Sequence, residues 1–517
     1  MRIAKKVLAA FIILMALFSL SILYADGNIK PYTIMVYMNG SDLESEHGMG
    51  TDDIIEMLES GLCSSAANLI LFTGGTLRWL NNVVPPVDCV IWEIADGWMY
   101  ELENLGKQNM GDWRTLADFI VFSMQNYPAE RYGLIMWDHG GGSIAGFGHD
   151  EIFDDDNLSL LDMARAFGFA GLMDTPLEFL GFDSCLMATV EMAVTAAPFA
   201  KYLIASEDLE PAEGWDYTFL RHLNGGDLDG HDIGVIIVDY FMDYFDDEVF
   251  AEETLHLSVV DLDKVDKVML ELGSLMEVCR GYLDANQVPT FRALAGRRGV
   301  TKTFGIGSPR DNESDMVDIA DMLTHLADIF PYETAAVYTA LDEAVLYSRD
   351  NADVTLGGLS VFYIYGGKDL ADISLSTYSD LEMDYDYTKY LKEFAELLLT
   401  VGKDERPNRS VLRGKINGHT VRLYEVGRTA GTVRYAIPAR KDGEDCDVYV
   451  AFSENYPYGK ILGVKYEYGF ILQKGYGEID IGDMLSFYYE SGNGTWLCGE
   501  EFVVNEPLEL YLLPWDE

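Results

Sequence analysis

The apolar and polar positions of the chain fall into two textures. The first begins with PYTIMVYMNG, Pro31 to Gly40, a short apolar run that stops at Asn-Gly. A run of this kind predicts a parallel strand buried on both faces. In the following SDLESEHGMGTDDIIEMLESG, Ser41 and Glu44 read as a capping box, and Ile54, Ile55 and Leu58 form a helical stripe. Further strands are predicted at NLILFTGG, CVIWEI, YGLIMWDHGGG, LEFLGFDSC and KYLIASED. A helix is predicted from about Asp112 to Gln125, with Leu116, Phe119 and Ile120 on one face, and another within LSLLDMARAFG. The pattern continues through GVIIVDYFMDYF, HLSVVDLDKVDKVMLEL, TFGIG and GGLSVFYIYG to a last strong helix at LKEFAELLLTVGK. Strands alternating with helices in this order predict an α/β domain, a mostly parallel sheet flanked by helices.

The texture changes after KDERPNRS, residues 403–410, which is charged, aperiodic and reads as a linker. Beyond it HTVRLYEV, GTVRYAIPA, DVYVAFS, GKILGVKYEYGFIL and MLSFYYES are short alternating strands between turn residues. They predict a C-terminal all-β, sandwich-like domain over 411–517. The α/β domain then spans 28–402.

The first residues follow neither texture. Arg2, Lys5 and Lys6 precede an apolar run from Val7 to Tyr24, with small residues at Ser19, Ser21 and Ala25. Residues 1–25 therefore read as a secretory signal, which places the protein outside the cytoplasm, secreted or at the cell surface. The run is near the ~18-residue minimum for a spanning helix, so membrane attachment is expected only if the segment stays uncleaved. The chain carries 86 Asp and Glu against 36 Lys and Arg, a net charge of -50. That charge excludes nucleic acid as a natural partner and favours cationic ones. Six cysteines in 517 residues, with no CxxC pair, give no metal or disulfide framework; Cys63 with Cys89 and Cys446 with Cys498 are the pairings their order suggests.

Two strands end in reactive residues. One runs into Asp138-His139-Gly140-Gly141-Gly142, the other into Asp183-Ser184-Cys185. Ligands of open α/β sheets gather beyond the carboxyl ends of strands. Cysteine in an apolar stretch is ordinarily inert core, and a single histidine after a strand is ordinarily a surface residue. Three glycines after His139 are more than packing needs. Asp183 points to the same side of its strand as Cys185, and a charge there requires a partner. A Cys–His pair is the minimum for thiol nucleophilic catalysis, and the backbone N–H groups of Gly140 and Cys185 are placed to hold an oxyanion.

DHGGG, GFDSCLMA and ASEDLEPAEGWDY, with YTIMVYMNGSDLE and HLSVVDL, together resemble the clostripain family of cysteine peptidases, whose core is shared with caspases and gingipains. The resemblance runs from about Tyr32 to about Tyr365 and leaves out the C-terminal domain. It implies an endopeptidase acting on proteins or peptides, with Cys185 as nucleophile, His139 as its partner and no third member required. Asp183 would lie at the floor of a pocket for Arg or Lys at P1, the residue before the cut bond, with Glu207 and Glu213 adding charge and Trp215 walling it. A basic P1 residue matches a buried carboxylate. Some relatives cut themselves after a basic residue between histidine and cysteine. Here Gly140 to Ala164 contains no Lys or Arg, and the first is Arg165.

No cofactor is required for this chemistry. Some relatives need calcium, and Asp150, Glu151, Asp154, Asp155 and Asp156 offer hard oxygen ligands for it. Their spacing is not that of an EF-hand, and a solvated acidic turn is the plainer reading. Three rivals stand beside the peptidase: a catalytically inactive surface adhesin or scaffold, a peptidase preferring acidic P1 residues, and a thiol transpeptidase.

Overall fold

The computed structural model describes residues 29–245, 254–305, 314–352, 354–365, 368–383, 385–401, 411–429, 431–453, 458–468, 471–490 and 495–513. The expected signal segment and linker lie outside the described residues. Nine strands form the main sheet: β1 (Lys30–Asn39), β2 (Ala67–Gly74), β3 (Cys89–Ala95), β4 (Trp98–Gly106), β5 (Ala129–Trp137), β6 (Leu177–Asp183), β7 (Ala200–Ala205), β8 (His256–Asp261) and β9 (Val345–Asp350). Their order is β9-β8-β7-β6-β5-β1-β2-β3-β4. The five central strands, β7 to β2 in that order, are parallel, and both flanks are antiparallel. The strand order reverses between β5 and β1, so a crevice opens there at the carboxyl ends.

The sheet divides two cores by its own alternation. In β1, Tyr32, Ile34, Val36 and Met38 face one core, and Met35 and Tyr37 face the other. The helices Met49–Glu59 and Gly230–Tyr244 cover the first, and Trp113–Asn126, Leu160–Phe169 and Val265–Ala285 cover the second. Asp112 caps its helix by accepting from the Arg114 N–H at 2.9 Å. The expected capping box at Ser41 and Glu44 does not form. The short helix Ser41–Ser45 has Gly40 as N-cap with no side-chain cap bond. Glu44 instead accepts from Thr51 N–H at 2.7 Å and Leu80 N–H at 2.5 Å, tying the next helix and a distant loop together.

The all-β prediction for the last hundred residues holds. Strands β10 (Val411–Ile416), β11 (His419–Thr429), β12 (Thr432–Lys441), β13 (Glu444–Ser453), β14 (Tyr458–Tyr468) and β16 (Leu510–Leu512) pair antiparallel in sequence, and β16 returns to pair with β10. The domain thus closes as a small barrel around Ile416, Leu423, Ile437, Val448, Val450 and Val464. Closure leaves these strands without free edges. One hairpin leaves the ring. Strand β15 (Ile471–Leu472) folds back on β14 and also pairs Leu472 with Gly140 of the α/β domain. The barrel therefore adds a strand directly beside the carboxyl ends of the main sheet. None of the six cysteines is in a disulfide, so the Cys63–Cys89 and Cys446–Cys498 pairings do not form.

Candidate active site

The register of β5 and β6 pairs Trp137 with Asp183. His139 and Cys185 each follow two residues after that pair, at adjacent strand ends. The two strand ends are drawn tight: a Cβ on Gly140 would lie 2.0 Å from the Cys185 carbonyl oxygen. Only glycine permits that approach. After Cys185 the chain turns sharply, with Leu186 in the left-handed region at φ 67°. A branched side chain there is strained by roughly 1–3 kcal/mol. The turn is held by Leu186 N–H on the Asp208 carbonyl at 3.1 Å and Ala188 N–H on the Ser206 carbonyl at 2.8 Å.

His139 is fully buried and held at both ring nitrogens. Nε2 lies 2.6 Å from Asp42 Oδ1, and Nδ1 accepts the backbone N–H of Lys474 at 2.8 Å. An accepting Nδ1 carries a lone pair, so the ring is neutral with its proton on Nε2, donated to Asp42. Burial disfavours the imidazolium, and the Asp42 carboxylate outweighs it, so the basicity of the ring is raised. The neighbouring Asp138 accepts from Asn39 Nδ2 at 2.5 Å and His149 N–H at 2.6 Å. Burial pushes Asp138 up to about 7 despite the opposing pull of His139.

The Cys185 thiol is also fully buried. Its Sγ accepts from the Glu210 N–H at 3.2 Å. Burial pushes its pKa up to about 11, against the pull of Lys465, so the sulfur is a neutral thiol near pH 7.

Beneath the pair lies an acidic pocket. Asp183 Oδ2 accepts from Trp215 N–H at 3.2 Å and Tyr217 Oη–H at 3.1 Å. Its other oxygen, Oδ1, pairs with the ammonium of Lys474 from the barrel, which also donates to the Asp183 carbonyl at 3.3 Å. Glu210 Oε2 stands 3.6 Å from the same ammonium, and the Trp137 ring centroid 5.8 Å from it. Gly214, at φ 66°, lets the loop close over this pair; a Cβ there would come within 2.5 Å of Asp183 Oδ1 and 2.7 Å of Lys474 Nζ. Burial works against the Lys474 charge, yet the two carboxylates more than restore it and hold its pKa above the ordinary lysine value.

Of the other residues singled out from sequence, Trp215 is buried, with its ring against Gly181. Glu213 is partly exposed on the loop between Glu210 and Trp215. Glu207 points elsewhere: its carboxylate lies 3.3 Å from His256 Nε2 and accepts Gly358 N–H at 3.0 Å. The carboxylate that reaches the ammonium is Glu210, three residues on. The acidic turn does not converge either. Asp150 accepts from the Met110 and Ile152 N–H groups, Glu151 from Ser45, Thr76 and Leu77, and Asp156 from Asn109, while Asp155 lies 3.6 Å from His149. Among the described residues, the side chains that gather closely enough for one cation are Asp229, His231 and Asp232. Asp229 and Asp232 there form the capping box of the helix Gly230–Tyr244.

Sequence reading missed Asp42, Glu210, Tyr217 and Lys474. Asp42 carried a signal, since it follows the end of a central strand as His139 and Cys185 do. Lys474 carried none, as it lies in another domain.

The sequence profile of the clostripain family matches residues 36–403. Clostripain of Hathewaya histolytica is 33% identical over 140 residues, a stretch that is 24% of this chain and 27% of clostripain. The chain therefore matches about a quarter of the length of that relative. A secreted C11 cysteine protease from Bacteroides thetaiotaomicron, solved with an irreversible peptide inhibitor, superposes with a TM-score of 0.53 at 15% identity, covering 70% of this chain and 99% of that one. An inactive zymogen C11 protease from Parabacteroides distasonis superposes with a TM-score of 0.52 at 20% identity, over 70% and 99%. At these identities the two structures show the shared fold, and the profile extends over most of the chain. The strand-end histidine and cysteine, the α/β sheet that carries them and the profile match agree: this chain belongs to the clostripain family of cysteine peptidases.

Proposed function

We propose that the protein is an exported cysteine endopeptidase that cuts after lysine or arginine. The observation that carries this reading is the pocket beside Cys185, where Asp183 and Glu210 hold a lysine ammonium in full burial. Burying one cation between two carboxylates and an indole is stable only for a cationic guest; an acidic P1 side chain would add a third negative charge.

The reaction is acyl transfer. His139 takes the thiol proton, and Cys185 Sγ attacks the P1 carbonyl carbon. The N–H groups of Gly140 and Cys185 hold the oxyanion. As the C–N bond breaks, the imidazolium returns its proton to the leaving amine, and water then hydrolyses the thioester. Asp42 acts through His139 by fixing its ring and tautomer. The acidic field draws cationic substrates. The test is hydrolysis of fluorogenic peptides with Lys, Arg, Asp or Ala at P1, by protein beginning after residue 25 and carrying K474A, which clears the ammonium from Asp183 and Glu210, and by the same protein with C185A added. Cleavage after Lys or Arg that C185A abolishes is expected. Cleavage after Asp or Ala, or cleavage that persists in C185A, would overturn the reading.

A further inference from the structure

The lysine in the pocket belongs to the protein itself. Gln473, Lys474 and Gly475 are all buried, and the chain bends at Lys474 and Gly475, with Gly475 at φ 69°, as it reaches the site. Leu472 pairs with Gly140 as an added antiparallel strand. Lys474 then drops its side chain onto Asp183 and Glu210. Its backbone N–H occupies His139 Nδ1, and the Gly475 N–H donates to the Glu210 carbonyl at 3.0 Å. The barrel steadies the segment: Lys465 Nζ reaches the Gln473 carbonyl at 3.4 Å, and Gln473 exchanges bonds with Tyr466.

We infer that the C-terminal barrel is an inhibitory domain, which holds the peptidase latent by seating Lys474 in the primary specificity pocket as a substrate-like latch. The inference rests on the proposed peptidase reading for the identity of the pocket.

The same contacts explain why the seated lysine is held and not cut. The imidazole needed to take the thiol proton already accepts the amide of Lys474 itself. The amine that would leave, Gly475 N, is bonded to Glu210 instead of facing the histidine. The sulfur accepts from Glu210 N–H and is covered. Burial of the neutral thiol points the same way. A free substrate lysine competes with a latch tethered in the same chain, at high effective concentration. Latency is therefore expected to persist until the barrel is displaced.

The test compares full-length wild type, K474A, K474Q and K474R by two independent readouts. One is alkylation of Cys185 by iodoacetamide, followed by mass spectrometry; the other is turnover of a fluorogenic P1-lysine peptide. Thermal melts verify folding. Loss of the buried ion pair in K474A and K474Q is expected to raise Cys185 labelling at least tenfold, since about 1.4 kcal/mol suffices for that factor. K474R keeps the cation and is expected to label as slowly as wild type. Faster labelling without peptide turnover would keep the latch and sink the peptidase reading. Equal labelling of wild type and K474A would overturn the latch, whatever the turnover. Recovery of a wild-type fragment ending at Lys474 would show the segment to be a substrate and overturn it too. If K474A melts early, K474Q and the pocket variant D183N report on the same labelling rate, and no increase in either overturns the proposal.

Discussion

The Nδ1 lone pair of His139 is taken by the Lys474 amide in this structure, while Nε2 is directed at Asp42. The ring is thus oriented from one side and capped from the other. Asp42→Asn keeps the shape but removes the charge that raises the basicity of the ring. In a K474A background, where the ring is uncapped, D42N is expected to lower kcat by about 10²–10⁴-fold with little change in KM, the range for loss of a well-poised general base. The pH–rate profile separates positioning from simple unfolding. Without the Asp42 charge the histidine pKa falls, so the limb it governs moves to lower pH. An unchanged profile with the same loss in kcat would argue against this role.

At the scale of elements, the site is a property of strand ends. β1, β5, β6 and β7 deliver Asp42, His139, Cys185 and Glu210 to one side of a sheet whose order reverses between β5 and β1. The glycine after His139 sets the spacing of the two strand ends that carry His139 and Cys185. Gly140→Ala forces a Cβ against the Cys185 carbonyl, where a 2.0 Å contact cannot stand. Overpacking of this kind costs roughly 1–3 kcal/mol, and here relief is available only by parting the strand ends. In the K474A background, G140A is expected to reduce kcat/KM by more than about 100-fold, since such misplacement is costly in catalysis. It should lower the thermal midpoint only modestly. A full-activity G140A enzyme would mean that the two ends need not be so close.

At the scale of the molecule, acidity is distributed unevenly between surface and interior. Burial raises Asp138 and Glu56 to about 7 and Asp318 to about 6, and it raises Glu207 well above the ordinary range. For these groups the folded state binds protons more tightly than the unfolded chain, so their contribution to stability falls as pH rises from about 4 through 7. Buried His149 and His256 act oppositely, with values lowered to about 4 and about 3, and so favour higher pH below about 6.5. The carboxyls outnumber the histidines, and a net charge of -50 adds self-repulsion as pH rises. The thermal midpoint is therefore expected to be higher at about pH 5 than at about pH 8. A scan that rises monotonically toward alkaline pH would contradict this balance.

The sequence alone determined what depends on neighbours along the chain. Apolar runs ending in Asn-Gly or Gly-Gly marked the central strands because a buried strand must be apolar and must stop somewhere. The candidate histidine and cysteine were legible because each sits at such a stop, and Asp183 because a carboxylate inside a buried strand demands a partner. The amphipathic edges were harder. β4, with WMYELENLG, carries exposed charge and pairs on one side alone, so its pattern resembles a loop. Only the tertiary structure decided which groups meet. Asp42 reaches His139 from 97 residues away and Lys474 from 335, distances over which no local pattern operates. Glu210 displaced Glu207 from the pocket because one carboxylate turns toward His256 and the other toward the cation, and loop geometry sets that choice. The barrel likewise looked like an independent accessory domain, since its own alternation satisfies its own core. What joins it to the site is the short segment from Leu472 to Gly475, and the buried lysine in that segment finds its carboxylates only once both domains have folded.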